Sequence, residues 1–407
     1  MNKLVQQRPG LSEPKWRRLS PHVSVLFVAL LLGWMGSHLQ LARFNAANRD
    51  SIQFWATGRC LVDHRNVFDL QDVLKLQQSQ GYQEGRAYLS RIPPWTISAM
   101  TPFGLMSPYW TWFFIVTLSA VTLIVSTRLC WHFFGDSQTR AGDCYLASYL
   151  FAPVLACFKT GQIGIFLLLG LLLFLRWQKK RPFLAGAALW LPFVKPHLFT
   201  VFGLVCLLWI LAERRWRIFV GFATTVTVSL GAALALDHNL FTHYLANVRG
   251  QAILDEFIPS LAGVFRLLVA PQLIYLQFIP LLAGLVWGIW YWRKHRTDWV
   301  WTEHGITLLL VSFLVSPYYF LPDEVVLLPV VFQATVIFFR KSKTESPTAY
   351  ILSALSCVLL VMVVVNVPLP SGAYAWSGIV WASWHLLGRR AASRAEVLAE
   401  SAVLSVP

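Results

Sequence analysis

Few side chains in this sequence are placed to do chemistry, and those few sit at the edges of long apolar runs. Asp50, in Ala-Asn-Arg-Asp50-Ser, lies just beyond the apolar stretch 22–43. A carboxylate at such an exit, if it faces a cavity, can take a proton from a hydroxyl; the plainer alternative is a solvated loop acid paired with Arg49. Lys195 stands in Leu-Pro-Phe-Val-Lys195-Pro-His197, between two apolar runs. An ammonium there is costly unless it is paired or meets water, which makes it a candidate partner for a phosphate; the alternative is a lysine that snorkels to the interface. Pro192 and Pro196 break helical hydrogen bonding on either side, as is tolerated where backbone lines a cavity.

Other candidates are weaker one by one. The amide of Gln162, in Lys159-Thr-Gly-Gln162, could bind a sugar hydroxyl or a phosphate oxygen, unless Gly161 merely makes a tight turn. Ser316-Pro-Tyr-Tyr-Phe-Leu-Pro-Asp323-Glu324 interrupts two apolar runs with an acidic pair, read first as a helix boundary with a capping acid. Arg91, beside Pro93-Pro94, could contact a phosphate. His197, His238 and His243 read as interfacial hydrogen-bonding groups. Trp55, Trp95 and Tyr88 suit stacking on a sugar ring or anchoring at an interface equally well. No P-loop, GxGxxG, HExxH, GxSxG or DxD occurs, so nucleotide hydrolysis, dinucleotide chemistry and zinc proteolysis have no sequence support. The six Cys show no CxxC and no His pairing, and are read as small core residues rather than metal ligands or disulfides.

The elements that hold these residues are membrane helices. Of 407 residues 56% are hydrophobic and 13% charged, and the mean hydropathy is +0.55; a soluble domain is excluded. Twelve spans are expected, at about 22–43, 108–131, 143–158, 162–177, 182–194, 197–212, 217–236, 271–292, 304–320, 323–339, 348–367 and 373–388. Several fall short of the roughly 20 residues that cross the hydrocarbon, above all within 143–194. The net charge of +15 fits the positive-inside rule rather than nucleic acid: every second turn is basic, as at Arg176/Lys179/Lys180/Arg181 and Arg293/Lys294/Arg296, which puts both termini inside. Residues 1–21 then form a basic cytoplasmic start, 22–390 one integral-membrane domain, and 391–407 a cytoplasmic tail. The segment 22–43 reads as a retained first helix rather than a cleaved signal. Two long segments, 45–107 and 237–270, lie outside. Within the first, the apolar spacing over 67–80 predicts a short amphipathic helix on the membrane surface, with Asp69 and Asp72 at its start. The C-terminal stretch 348–388 carries no site signal and reads as scaffold or lipid groove.

In this order the motifs resemble glycosyltransferase family 87, the polyprenol-phosphate-mannose-dependent α-mannosyltransferases of the GT-C superfamily. The matching pieces are Asp50 with Phe54-Trp-Ala-Thr-Gly58 and Asn66-Val-Phe-Asp69, Ile92-Pro-Pro-Trp95 with Thr101-Pro102, Gly161-Gln162 with Ala185-Gly186 and Lys195-Pro196, and Ser316-Pro317-Tyr318 with Asp323 and Leu327-Leu328-Pro329. Two pieces depart from the family: Asn66-Val-Phe-Asp69 replaces Asn-Pro-Tyr-Asp, and Ile-Gly follows Gly161-Gln162 in place of Ile/Val-Asn. The resemblance implies an all-α GT-C-type bundle that moves a hexose, mannose first among them, from a polyprenyl-phosphate donor to a glycolipid or glycan acceptor. It places that reaction on the outer face of the bacterial cytoplasmic membrane. Asp50 would be the general base of an inverting transfer, Lys195 and Arg91 would meet the leaving phosphate, and Gln162, His197, Asp323, Trp55, Trp95 and Lys159 would bind substrate. No nucleotide cofactor is implied and no metal ligand is assigned. Two alternatives stay open: a secondary transporter or lipid flippase, which predicts broken helices at matching positions in two halves, and a non-catalytic subunit of an envelope polysaccharide system, which predicts that Asp50 is dispensable.

Overall fold

The computed structural model describes residues 19–40, 46–135, 141–250, 258–341 and 347–404. These residues are helical, with no strand among them. The α-helices begin with α1 (Leu19–Gln40), α2 (Ser51–Val62), α3 (Leu70–Gln78), α4 (Thr101–Gly104), α5 (Pro108–Phe134) and α6 (Ala141–Tyr149). Next come α7 (Ala152–Thr160), α8 (Gly164–Trp177), α9 (Pro182–Ala188), α10 (Thr200–Ala212), α11 (Trp216–Leu236) and α12 (Leu240–Gly250). The last six are α13 (Leu261–Val269), α14 (Ile279–His295), α15 (His304–Leu314), α16 (Leu328–Lys341), α17 (Pro347–Val364) and α18 (Ser377–Leu404).

The apolar runs become helices of unequal length. Four are long and apolar enough to cross a membrane: Pro108–Phe134, Trp216–Leu236, Ile274–His295 and Pro347–Val364. Two bent pairs bring the number to six, Ala141–Tyr149 with Ala152–Thr160 at 45° and Pro182–Val194 with Pro196–Ala212 at 119°. The expected set of twelve spans is therefore not reproduced. The runs 182–194 and 197–212 in particular form one sharply broken pair, because Pro192 and Pro196 each lack a donor and their neighbours fold into short 3-10 turns, Pro192–Val194 and Pro196–Phe199. The two bent pairs follow one another in the chain rather than matching across two halves, which is not the symmetry a transporter would show. α18 runs through the boundary expected at 390/391 without a break.

The segment 46–107, in which one short amphipathic helix is expected, folds further than that. Ser51 to Leu61 is a buried helix, with Ile52, Ala56 and Leu61 fully covered. Gly58 meets Gly104 so closely that a Cβ on Gly58 would lie 2.0 Å from the carbonyl oxygen of Met100, so α2 and α4 touch backbone to backbone, as small residues permit. The amphipathic helix forms as α3, shorter than 67–80, with Asp69 as its N-cap accepting from the N–H groups of Gln71 and Asp72. Its stripe Val73 and Gln77 packs inward, and the Gln77 amide clasps the backbone of Tyr88, donating at 2.8 Å and accepting at 2.9 Å. That clasp ties the returning strand of the loop, and with it Tyr88, over the start of α2.

Candidate active site

Five chain segments bring polar side chains to one cavity of about 480 Å³, the stretch 82–92 with Tyr88 and Arg91 among them. Asp50 immediately precedes α2. Gln162 follows α7, whose end is capped by Gly161 at φ 73°. That conformation costs a side-chain-bearing residue about 1–2 kcal/mol, and a Cβ there would come within 3.0 Å of Ser51. Lys195 sits at the corner of the broken pair in backbone that is neither helical nor extended, φ −124° and ψ 73°. Asp323 lies in the 3-10 turn Leu321–Leu327, where its backbone N–H donates to Phe320 O (2.8 Å) and its Oδ2 accepts from Phe320 N (3.1 Å).

A continuous hydrogen-bond chain joins these four side chains. Lys195 Nζ donates to Asp323 Oδ1 at 2.6 Å and to Gln162 Oε1 at 3.4 Å; Gln162 Nε2 donates to Asp50 Oδ2 at 2.8 Å. The Lys195–Asp323 pair is buried, with side chains 16% and 6% exposed. Since the ammonium holds the oxygen of the Gln162 amide, the NH2 of that amide must face Asp50. The chain thus sets the orientation of Gln162 and fixes Asp50 through it. His197 stacks on Tyr318 at 3.9 Å between centroids, and both line the cavity.

Asp50 lies outside the membrane-crossing helices. Burial raises its pKa above the ordinary carboxylate value, while the Gln162 amide and the Lys195 charge pull it back. Tyr88 leans on the same carboxylate. Burial first, and then the charge of Asp50, push its hydroxyl well above the usual value, so it stays protonated and serves Asp50 as a donor. Burial thus raises the pKa of Asp50 while hydrogen bonds from Gln162 and Tyr88 and the charge of Lys195 oppose that shift.

Of the residues singled out from sequence, Asp50, Arg91, Gln162, Lys195, His197 and Asp323 all line this cavity. Arg91 is exposed. Three others stand elsewhere. Trp55 is 4% exposed and gives its indole N–H to Met106 O at 2.9 Å; Trp95 gives its own to Phe193 O at 3.2 Å and accepts from Trp190 on its carbonyl. Trp55 is buried and Trp95 half-buried where the loop packs onto the bundle, and neither lines the cavity. Lys159 turns away from the cavity into an apolar groove of about 580 Å³, which it lines with Arg49 and residues of α1 such as Leu26, Leu30 and Trp34. There its Nζ donates to Val363 O at 3.2 Å.

Sequence reasoning missed Gln53, Tyr82, Leu369 and Pro370 in the cavity wall. The last two correct the view that 348–388 is silent, since the loop between α17 and α18 closes one side. Glu324, 1% exposed, is not at the cavity; Ser377 and Trp381 donate to its two oxygens, the latter at 2.6 Å. Among the described residues His295, Asp298 and His304 bring ligand-type atoms within 4.8 Å of one another, beyond α14 at the far end of the bundle from Asp50.

The model of glycosyltransferase family 87 matches residues 92–317, more than half of the chain. The chain belongs to glycosyltransferase family 87. It is therefore a membrane glycosyltransferase, and the cavity-lining residues Gln162, Lys195 and His197 lie within the part that identifies it. Asp50, Arg91 and Asp323 fall outside the matched residues, so their place in the site rests on geometry. No curated protein and no solved structure matches the chain.

Proposed function

We propose that this family 87 enzyme transfers a hexose, mannose first among the candidates, from a polyprenyl phosphate to a hydroxyl of a glycolipid or glycan, on the outer face of the bacterial cytoplasmic membrane. The observation that carries the reading is that the polar cavity and the apolar groove abut along three segments. Arg49 lines the groove and Asp50 the cavity; Lys159 lines the groove and Gln162 the cavity; Asn366 lines the groove and Leu369 the cavity. A donor with its isoprenoid in the groove puts its phosphate beside Arg49 and Lys159 and its sugar in the cavity.

The reaction then follows from the groups present. The acceptor hydroxyl attacks the anomeric carbon as the Asp50 carboxylate takes its proton. The bond from that carbon to the phosphate oxygen breaks on the opposite face, so the configuration inverts, and polyprenyl phosphate leaves as an anion. Arg49 and Lys159 meet the charge that grows on the leaving oxygen. This reassigns the phosphate contact from Lys195, which is committed to Asp323 and acts through Gln162 as a positioning residue. Arg91, exposed in the cavity lining, is placed for the acceptor.

The test is transfer by the full chain in nanodiscs, offered radiolabelled polyprenyl-phosphate hexoses and membrane-extracted acceptors. Wild type transfers sugar, and Asp50→Asn, folded and still able to bind donor, loses about 10²–10⁴-fold. Equal transfer by both proteins would remove Asp50 as the base. No transfer by wild type from any polyprenyl-phosphate sugar would remove the donor class.

A further inference from the structure

A second polar cavity lies at the other end of the bundle. α8 and α10 both start near the catalytic cavity, at Gln162 and Lys195, and both end at a cavity of about 460 Å³ lined by Arg176, Lys179, Lys180, Arg215 and Arg296, with Glu213 as its only carboxylate. With 14 residues in α8, the two sites are separated by about 20 Å of helix.

The positive-inside pattern accounts for the sign of these turns. It does not require three of them, 176–180, 213–215 and 296–302, to converge on one cavity. The C-termini of α8, α10 and α14 meet here; each carries about half a negative charge, and with Glu213 they leave a surplus of about two to three positive charges. None of the five cations is in an ion pair with a carboxylate among the described residues; Arg176 meets His132, and Arg215 lies over Trp209 at 5.8 Å. The wall is short of acceptors in a second way. The indole N–H groups of Trp299 and Trp301, both lining residues, are buried with no acceptor among the described residues.

We infer that this cavity is a phosphate-anion site on the basic face of the protein, separate from catalysis. A flexible cluster of cations flanked by tryptophans at the end of membrane helices is built to take the headgroup phosphate of an anionic phospholipid; a free phosphate offers the same chemistry. The site makes binding of the enzyme to its bilayer depend on lipid charge at the face opposite the reaction.

The experiment uses the full chain in nanodiscs of phosphatidylcholine alone or phosphatidylcholine with phosphatidylglycerol, followed by native mass spectrometry and thermal unfolding. Wild type retains phosphatidylglycerol and unfolds at higher temperature with it. Lys179→Ala/Lys180→Ala/Arg296→Ala binds about a hundredfold more weakly, three surface cations being lost. A control, Arg217→Ala/Arg293→Ala/Lys294→Ala, removes three cations from the same end but outside the cavity and keeps the lipid. Inorganic phosphate added to phosphatidylcholine discs is the second arm: protection of wild type by phosphate alone, lost in the cavity variant, assigns the same site to a soluble anion. Should the triple variant misfold, Arg296→Gln carries the comparison. Equal retention of both probes by cavity variant and control, or no retention by wild type, overturns the proposal.

Discussion

The polar cavity and the apolar groove come within one peptide bond of each other, between Arg49 and Asp50, and are built in opposite ways. The cavity wall is a hydrogen-bonded network in which Asp323, Lys195, Gln162 and Asp50 each constrain the next. The groove is a sheath of Leu, Phe and Val with Arg49 and Lys159 among its few polar members. A reacting hydroxyl and a carboxylate must be held to within tenths of an ångström; an isoprenoid needs only apolar area, about 25 cal/mol per Å² buried. The difference teaches where mutation should be felt sharply and where it should be felt in proportion to surface.

The sharpest break is expected inside the network. Lys195→Ala strands the buried carboxylate of Asp323, and removing one partner of such a pair costs about 3–5 kcal/mol. Thermal unfolding in detergent should show a large loss, partly restored by Lys195→Ala/Asp323→Ala, which no longer buries an unpaired charge. If the single variant unfolds like wild type, the pair is not what holds the broken helix pair to the turn 321–327.

On the groove side the expected effect is of another kind, felt in transfer rather than in stability. Arg49→Ala/Lys159→Ala removes two charge-assisted contacts to the donor phosphate, each worth about 1.5–3 kcal/mol. Transfer efficiency should drop at least about a hundredfold, with the fold kept and with soluble acceptor affinity unchanged. An unchanged rate would move the phosphate back towards Lys195 and Arg91.

Gln162→Leu probes the hinge between the two sides. The amide favours the charged form of Asp50, so its loss lets burial raise that pKa further. A base must be ionised, and the acid limb of the transfer profile therefore moves to higher pH. Transfer at neutral pH falls about tenfold, the worth of one hydrogen bond to a charge, and recovers as pH rises. The sign for stability is opposite. A carboxylate raised above its unfolded value contributes stability at low pH that is lost as pH climbs through its folded pKa, so Asp50→Asn should be more heat-stable than wild type at neutral pH and equal to it in acid. A profile that recovers on lowering pH would mean that Asp50 does not act as a base.

Much of this was legible because the sequence is so apolar. In a chain with 13% charged residues, a Lys between two prolines and an acid beyond a helix exit have few structural reasons to be there, and Asp50, Arg91, Gln162, Lys195, His197 and Asp323 do share one cavity. What stayed hidden needed partners far along the chain. The Lys195–Asp323 pair spans 128 positions, and no local pattern could choose Asp323 over Glu324, which instead is clamped by Ser377 and Trp381. The burial of 51–61 was hidden because Ser51, Gln53 and Thr57 make the segment read as polar, whereas Thr57 satisfies itself on Gln53 O at 2.8 Å. The span count goes unconfirmed where prolines cut runs of adequate hydropathy into short helices, a question of backbone donors rather than of apolar content.

The tryptophans give the finest distinction. Trp55 lies one residue from Phe54, which lines the cavity, yet its own ring points into the core and its N–H to Met106 O. Trp55→Phe keeps most of the buried aromatic area and forfeits one neutral hydrogen bond, about 1 kcal/mol. Stability should fall by that small amount, leaving the Met106 carbonyl short of a donor, while transfer stays within about twofold of wild type, a difference of less than half a kcal/mol in the barrier. Loss of transfer from a protein that still unfolds within this margin would mean that the ring does reach the sugar when substrate is bound. The loop 46–107 would then be a moving part of the site rather than a fixed wall, and the clasp of Gln77 on Tyr88 would be the contact to break next.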